Sequence, residues 1–363
     1  MGVKQLAEKR DEKTVPAQDE ELREILEKKK TQIKVVGCGG AGNNTITRLM
    51  QVGIVGAETI VVNTDAQDLL YSDADKKVLI GKELTQGLGA GADPHTGAEA
   101  AKENREDIKN ALRGGDLVFL TCGLGGGTGT GSIPVVAEVA KKLGALTVGI
   151  VTLPFGMEGN VRMQNALDGL QNLQSVVDTL IVIPNDKLLE IVPDVSLQTA
   201  FKVSDEVLVN AVKGITELVT KPGLVNLDFA DVRAVMNSGG LAMIGMGESD
   251  TENRAFESVE RALNNPLITV DIKNAKGALI NVVGGPEISI REAQQIVEAV
   301  SSKISQDAKI IWGAQVDRSL GDTVRAMLVI TGVKSDQIFG PEKTYTKEHK
   351  KDIERILGVE FID

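Results

Sequence analysis

The chain has 363 residues, 42% of them hydrophobic and 25% charged, which is typical of a folded protein of about two domains. Its net charge of −11 argues against a general nucleic-acid-binding surface, and no apolar run reaches the roughly 18 residues that cross a bilayer. The densely charged N-terminus excludes a secretory signal, and two cysteines with two histidines make neither a disulfide framework nor a zinc site. The composition therefore predicts a cytoplasmic protein with no nucleic-acid partner, no direct membrane insertion and no metal held by protein side chains alone.

After a polar extension over residues 1–31, short apolar strands alternate with helices. Strands are predicted at 33–36, 59–63, 77–80, 116–122, 146–153 and 179–183, and helices at 43–51, 98–113, 134–143 and 161–176. Buried strands that alternate with helices indicate an α/β domain with a doubly wound, mainly parallel sheet over residues 32–196. Right-handed crossovers bring the loops after these strands to one edge of the sheet.

A long central helix is predicted within residues 197–222, where apolar residues recur at helical spacing until Pro222-Gly223. The remaining pattern indicates a second, smaller α+β domain over residues 223–333, since its strands no longer alternate strictly with helices. Its strands are predicted at 241–246, 278–283, 310–314 and 324–330, and its helices near 226–236, 253–264 and 290–302. A charged tail, 334–363, ends in an amphipathic stretch.

Glycine is enriched in two clusters, each of which follows a predicted strand and opens a helix. The cluster Gly37–Gly42 reads GCGGAG and matches the dinucleotide-binding pattern, so a nicotinamide-dependent oxidoreductase is one interpretation. The second strand, however, ends in Asn63, where such a site has an acid. The cluster Gly123–Ser132 is denser, and two glycine loops on one sheet edge can face a single phosphate chain from two sides. Neither cluster contains lysine or arginine, so backbone N–H groups, helix dipoles and a divalent cation would balance the phosphate charge.

The sequence GGGTGTG at Gly125–Gly131 resembles the signature of the tubulin/FtsZ family. Companion motifs occur in the order of that family: GCGGAGNN (37–44), NTDAQ (63–67), GLGAGADP (87–94), PFGMEGNVR (154–162), IPNDKL (183–188) and NLDFADVRAVM (226–236). The resemblance covers residues 33–333. It implies a GTP-binding domain, a cell-division GTPase that uses GTP/GDP with Mg²⁺, and a head-to-tail homopolymer that forms a ring at the division site.

The resemblance also implies a nucleotide site in the first domain. Its phosphate and γ-phosphate contacts would be Gly39, Gly40, Ala41, Gly42, Asn43, Asn44, Asp65, Ala90, Gly91, Gly126, Gly127, Thr128, Gly129, Thr130 and Gly131. Glu158 and Arg162 match ribose and phosphate contacts, although from spacing alone they read as an exposed ion pair. Asn185 matches a guanine-contacting asparagine. Two departures from the family pattern occur, Asn160 in place of lysine and Ala92 in place of glycine.

Phe201 and Asp205 lie four residues apart and share one face at the start of the long helix. An aromatic ring can stack on a purine, and a carboxylate can accept hydrogen bonds from the N1–H and N2–H₂ groups of guanine, which adenine lacks. The alternative interpretations are core packing for Phe201 and a solvated face for Asp205.

Asn226, Asp228 and Asp231 match the family's catalytic loop, which enters the nucleotide pocket of the adjacent subunit. The carboxylates of Asp228 and Asp231 would then position or polarise the attacking water, and hydrolysis would depend on assembly. The alternative is that Asp228 and Asp231 cap the following helix and place favourable negative charge in its first turn. Two further possibilities stay open: a slow scaffold paralogue that does not act in division, and an adaptor that binds the C-terminal tail.

Overall fold

The structure, a computed structural model, describes residues 31–187, 196–221, 223–225, 227–237, 240–264 and 270–335. The predicted N-terminal extension apart from its last residue, all but the first two residues of the predicted tail, and Asn226 lie outside these residues.

Ten strands and ten α-helices are defined in the described part of the chain. The strands are β1 Ile33–Cys38, β2 Ala57–Asn63, β3 Lys76–Leu79, β4 Leu117–Gly123, β5 Leu146–Leu153, β6 Thr179–Pro184, β7 Leu241–Ser249, β8 Gly277–Gly284, β9 Lys309–Val316 and β10 Val324–Thr331. The helices are α1 Gly39–Val52, α2 Ala66–Tyr71, α3 Pro94–Glu103, α4 Arg105–Leu112, α5 Thr128–Lys142, α6 Asn160–Gln174, α7 Leu197–Thr220, α8 Phe229–Met236, α9 Arg254–Leu263 and α10 Ile290–Ser301. None of these helices has both the length and the hydropathy to cross a membrane.

The strands form one sheet in the order β3-β2-β1-β4-β5-β6-β7-β10-β8-β9. Strands β1 to β6 are parallel, which confirms the doubly wound α/β prediction. In the second half β10 is antiparallel to both β7 and β8, as expected of an α+β arrangement. The two halves are joined by a short parallel pairing of β6 with β7, in which Leu180 and Ile181 lie opposite Leu241 and Ala242. The second half therefore extends the sheet of the first.

Helices cover both faces of this sheet, because alternate residues of each buried strand point to opposite sides. One core contains apolar residues of α3, α4, α5, α6, α9 and α10, and the other contains those of α1, α2, α7 and α8. Since α1 and α5 follow adjacent strands and pack on opposite faces, a crevice opens between them at the carboxyl edge of β1 and β4.

The prediction of one helix over residues 98–113 is wrong, because the structure has two helices, α3 and α4, separated at Asn104. The backbone of Asn104 leaves the helical region, with φ −101° and ψ 31°, and its Oδ1 accepts a hydrogen bond from the backbone N–H of Gly81 at 2.8 Å. Asparagine side chains commonly offer the backbone such an alternative to the helix. The short helix α2 was not predicted, because six residues are too few to show a period.

Candidate functional site

The two glycine clusters meet at the crevice between α1 and α5. A Cβ on Gly39 would lie 2.6 Å from the backbone nitrogen of Gly129, and a Cβ on Gly129 would lie 2.8 Å from the carbonyl oxygen of Cys38. Gly39 also has φ +69°, a conformation that side chains rarely adopt. Two helix N-termini therefore converge here, and their N–H groups and dipoles favour an anion.

The sequence predicted that α1 begins at residue 43 and α5 at residue 134, which leaves the phosphate-contacting segments 40–42 and 129–131 in loops, and the structure corrects this. Both segments belong to the first turns of α1 and α5, so the loop of the second cluster is confined to Leu124–Gly127. The glycines serve packing as well: a Cβ on Gly131 would lie only 2.0 Å from the carbonyl oxygen of Pro94, because α3 crosses α5 closely. A Cβ on Gly126, in contrast, would have no atom within 4 Å, which leaves open space beside the loop.

The β2–α2 turn closes a third side of the crevice. The hydroxyls of Thr64 and Thr128 share a hydrogen bond of 2.6 Å, which joins this turn to the second glycine cluster. Asp65 caps α2, since its Oδ1 accepts from the backbone N–H groups of Gln67 and Asp68 at 2.9 and 3.0 Å. If Asp65 contacts the nucleotide as predicted, it must do so while its Oδ1 caps α2.

Residues 89–92 form the loop predicted to face the γ-phosphate. Gly89, Gly91 and Ala92 have φ values of +87°, +58° and +61°, so Ala92 occupies a left-handed conformation where the family pattern has glycine. The loop contacts the second glycine cluster, because a Cβ on Gly127 would lie 3.0 Å from the Cβ of Ala90. Ala90 therefore lies against the second glycine cluster, and the contact of Ala90 and Gly91 with a phosphate stays a prediction.

Glu158 and Arg162 lie beside the same cluster. Their side chains form an ion pair of 3.0 Å, and Glu158 Oε1 accepts a hydrogen bond from the backbone N–H of Phe155 at 2.8 Å. A Cβ on Gly125 would lie 2.7 Å from the Cγ of Arg162. The Arg162 side chain is 52% exposed, so the pair matches the alternative of an exposed i,i+4 ion pair, while the stem of Arg162 lies beside the second glycine cluster.

The residues predicted to bind the base lie where α7 begins. Phe201 is 42% exposed and packs edge-to-face on buried Phe155, with ring centroids 5.3 Å apart at 82°. One ring is thus held by an aromatic neighbour while part of its surface stays open to a ligand. Asn185 is buried, and its Oδ1 accepts a hydrogen bond from the Ser204 hydroxyl at 2.8 Å.

Asp205 joins α7 to the first glycine helix. Its Oδ1 lies 3.3 Å from the Thr45 hydroxyl, whose single hydrogen is shared between this carboxylate and the carbonyl oxygen of Ala41 at 3.0 Å. Burial raises the pKa of the Asp205 carboxyl to about 6, against the opposing effect of the Thr45 hydrogen bond. The carboxyl borders a cleft of about 330 Å³ between α1 and α7, lined by Asn44, Thr47, Arg48, Gln51, Lys202, Asp205 and Glu206.

The predicted catalytic carboxylates lie far from this pocket. Asp228 caps α8, because its Oδ1 accepts from the backbone N–H of Asp231 at 2.7 Å, as the alternative interpretation expected. The segment before it is fixed to the last strand of the sheet, since the N–H groups of Leu224 and Val225 donate to the carbonyl oxygen of Ala314 on β9 at 2.8 and 3.2 Å.

Two distances follow from this placement. Along α7, the rise from Asp205 to Thr220 is roughly 22 Å. Across the sheet, β9 lies six strand spacings from β4, or roughly 28 Å. By these estimates the segment that leads into Asp228 and Asp231 lies away from the pocket of its own chain.

Sequence reasoning missed a group of polar residues at this site. Asn63, Thr64 and Asp68 connect the β2–α2 turn to both glycine clusters. The motif NTDAQ marked the turn, but Asp68 follows it and reads as an ordinary residue of a helix first turn.

The sequence profile of the tubulin/FtsZ family GTPase domain matches residues 32–193, and that of the FtsZ family C-terminal domain matches residues 240–334. The chain is 63% identical over 318 residues to cell division protein FtsZ 1 of Methanocaldococcus jannaschii, covering 88% of this chain and 87% of that protein. It is 62% identical over 317 residues to cell division protein FtsZ 1 of Thermococcus kodakarensis, covering 87% and 85%.

Solved structures of FtsZ and CetZ1 are also similar to this chain. An empty FtsZ dimer from M. jannaschii is similar with a TM-score of 0.83 and 60% identity, covering 89% of this chain and 97% of that chain. CetZ1 from Haloferax volcanii, a GDP-bound monomer, is similar with a TM-score of 0.75 and 25% identity, covering 85% and 96%.

Proposed function

This chain belongs to the tubulin/FtsZ family, and we propose that it is a cell-division GTPase that assembles head to tail and hydrolyses GTP between neighbouring subunits. The observation that carries the proposal is the separation of the two halves of the site. The pocket lies at the carboxyl edge of β1 and β4, whereas Asp228 and Asp231 lie beyond the other end of α7. The site is completed when one surface of a subunit contacts a different surface of an identical subunit. When such contacts do not close into a ring, their repetition produces a filament.

The proposed roles follow from the chemistry of each group. The N–H groups at the starts of α1 and α5 bind the phosphates, with the Thr128 hydroxyl as an added donor, while the buried Thr130 hydroxyl accepts from the backbone N–H of Gly125 at 2.8 Å and so holds the loop. Phe201 stacks on the base while Asp205 accepts from the guanine N1–H and N2–H₂ groups. Asp228 and Asp231 of the neighbouring subunit position the attacking water, because phosphoryl transfer depends on positioning and charge stabilisation more than on covalent chemistry.

A divalent cation is part of the proposal. Neither glycine cluster contains a lysine or arginine, and the described residues hold no group of three side chains that could bind a metal alone. Mg²⁺ would therefore be held mainly by phosphate oxygens, with the Asp65 carboxylate and the Thr128 hydroxyl as the hard oxygen donors of the surrounding turns. When bound, it neutralises charge on the phosphates.

We assign residues 32–196 to GTP binding, 223–333 to the supply of catalytic carboxylates, and 197–222 to the connection between them. Assembly would take place in the cytoplasm as a ring at midcell, and the tail 334–363 would be the segment that meets a division-site adaptor.

The proposal is tested by the GTPase rate per molecule as a function of protein concentration, with light scattering recorded in parallel. We expect a threshold concentration, above which scattering appears and the rate per molecule rises. A constant rate per molecule from dilute to concentrated solution would place the whole site in one chain. Assembly with negligible turnover would favour the scaffold alternative.

A further inference from the structure

We propose that Asp68 is a positioning residue for the phosphate site, acting as the shared hydrogen-bond acceptor that holds the first turns of α1 to the end of β2 and, through Thr64, to the start of α5. The inference rests on the proposed function, because it concerns the GTP pocket. Asp68 lies in the first turn of α2, outside the family motifs described above.

One oxygen of Asp68 bonds to two separate elements. Oδ2 accepts from the Nδ2 of Asn43, in the first turns of α1, at 2.8 Å, and from the Nδ2 of Asn63, at the end of β2, at 2.6 Å. It also faces the first glycine cluster, since a Cβ on Gly40 would have Asp68 Oδ2 at 3.7 Å as its nearest neighbour. Asp68 therefore fixes the start of α1 relative to β2.

The network continues to the second glycine cluster. Because Asp68 holds Asn63 through its Nδ2, the Asn63 Oδ1 accepts from the backbone N–H groups of Thr64 and Asp65 at 2.8 and 3.3 Å. That shapes the turn in which Thr64 shares its hydrogen bond with Thr128. Asn43, Asn63 and Thr64 are all buried and Asp68 is half-buried, so the two amides have little access to water as a substitute acceptor.

The geometry points to an acceptor role and not to a charge role. A negative charge next to a phosphate site weakens anion binding, whereas a neutral amide oxygen can accept the same two hydrogen bonds. The chain nevertheless has a carboxylate, which cannot flip to present a donor as an asparagine amide can. Loss of the acceptor leaves two buried amides unsatisfied and frees the loops to move apart.

The test compares Asp68→Ala, which removes the acceptor, with Asp68→Asn, which keeps it and removes the charge, in the full-length protein. Asp73→Ala is the matched control, because that carboxylate is exposed and lies five residues further along. GTP affinity is measured by equilibrium binding at fixed Mg²⁺, kcat at saturating GTP, and folding by circular dichroism and thermal midpoint. If Asp68→Ala does not fold, Asp68→Ser is used instead, since a serine hydroxyl is too short to reach the amides of both Asn43 and Asn63.

We expect the acceptor-free variant to bind GTP about tenfold more weakly with kcat within about twofold of wild type, whereas a merely destabilised protein would lose active fraction and hence kcat. Asp68→Asn should bind GTP as tightly as wild type or tighter. Wild-type affinity in Asp68→Ala overturns the inference, and so does an Asp68→Asn variant as weak as Asp68→Ala, which would assign the role to charge. Absence of GTP binding in the wild type would instead overturn the proposed function.

Discussion

The ionised form of Asp205 is the one proposed to bind guanine, but burying that form lowers the stability of the folded apo-protein. In the proposed base contact the Asp205 carboxylate accepts hydrogen bonds from guanine in its ionised form, but burial raises its pKa to about 6, above the 3.8 of an exposed carboxyl. The folded apo-protein therefore holds the protonated form more readily than the unfolded chain does. The resulting loss of stability is absent below about pH 4, grows as the pH rises to about 6, and is complete at neutral pH.

Asp205→Asn should raise the free energy of unfolding of the apo-protein at pH 7.5 by about 1 to 3 kcal/mol and weaken the preference for GTP over ATP. Wild-type GTP affinity should fall about tenfold between pH 7 and pH 5 as the carboxyl takes up a proton, whereas the variant should lack this component. Binding at several pH values and chemical denaturation measure these effects, with Asp73→Asn as the control for removal of an exposed charge. An unchanged GTP preference, or the same pH profile in the variant, would contradict the role of Asp205 in reading the base.

At the scale of elements, α7 connects the two parts of the proposed site, because it holds the proposed base contacts Phe201 and Asp205 near its start and leads to the segment with Asp228 and Asp231 beyond its end. Asp228 has two roles in this account, as it caps α8 and is proposed to act at the neighbouring pocket. Asp231 contributes its backbone N–H to that cap, so its side chain can be altered with less structural effect.

Asp231→Ala should lower GTP turnover by about a hundredfold or more while GTP affinity stays within about twofold of wild type. Asp228→Asn, which can still cap the helix, should lose turnover without loss of stability, whereas Asp228→Ala should also lose about 1 kcal/mol. Steady-state kinetics, GTP binding and thermal denaturation separate these effects, and Asp250→Ala controls for loss of an exposed carboxylate in the same half. Equal loss of binding and turnover in Asp231→Ala would mean that Asp231 belongs to the pocket of its own chain.

The sequence predicted most elements because alternation and helical spacing are local properties. It placed the starts of α1 and α5 too late, since glycine has a low helix propensity and the glycines at these starts are required by backbone contacts between distant segments. The division at Asn104 depends on a hydrogen bond to Gly81, and the Asp68 network joins residues 63–68 to Asn43 and, through Thr64, to Thr128. Such contacts between remote residues leave no periodic signal in the sequence.

At the scale of the molecule, the sequence predicted two domains, and the strands form one continuous sheet through the pairing of β6 with β7. That pairing involves only two residues on each strand, so no run of sequence marks it. Because the sheet is continuous, the pocket and the segment with Asp228 and Asp231 lie at separate places in a single folded unit. Each subunit can therefore present a pocket to one neighbour and carboxylates to the other.

Complementation between two inactive variants tests this claim most directly. Asp231→Ala keeps the pocket and lacks a catalytic carboxylate, while the double variant Phe201→Ala/Asp205→Ala keeps the carboxylates and lacks the base contacts. At a GTP concentration that saturates only the intact pocket, each variant alone should be nearly inactive, and an equal mixture should recover about a quarter of the wild-type rate, since one interface in four pairs an intact pocket with intact carboxylates. A mixture no more active than the sum of its separate components would contradict a site shared between subunits.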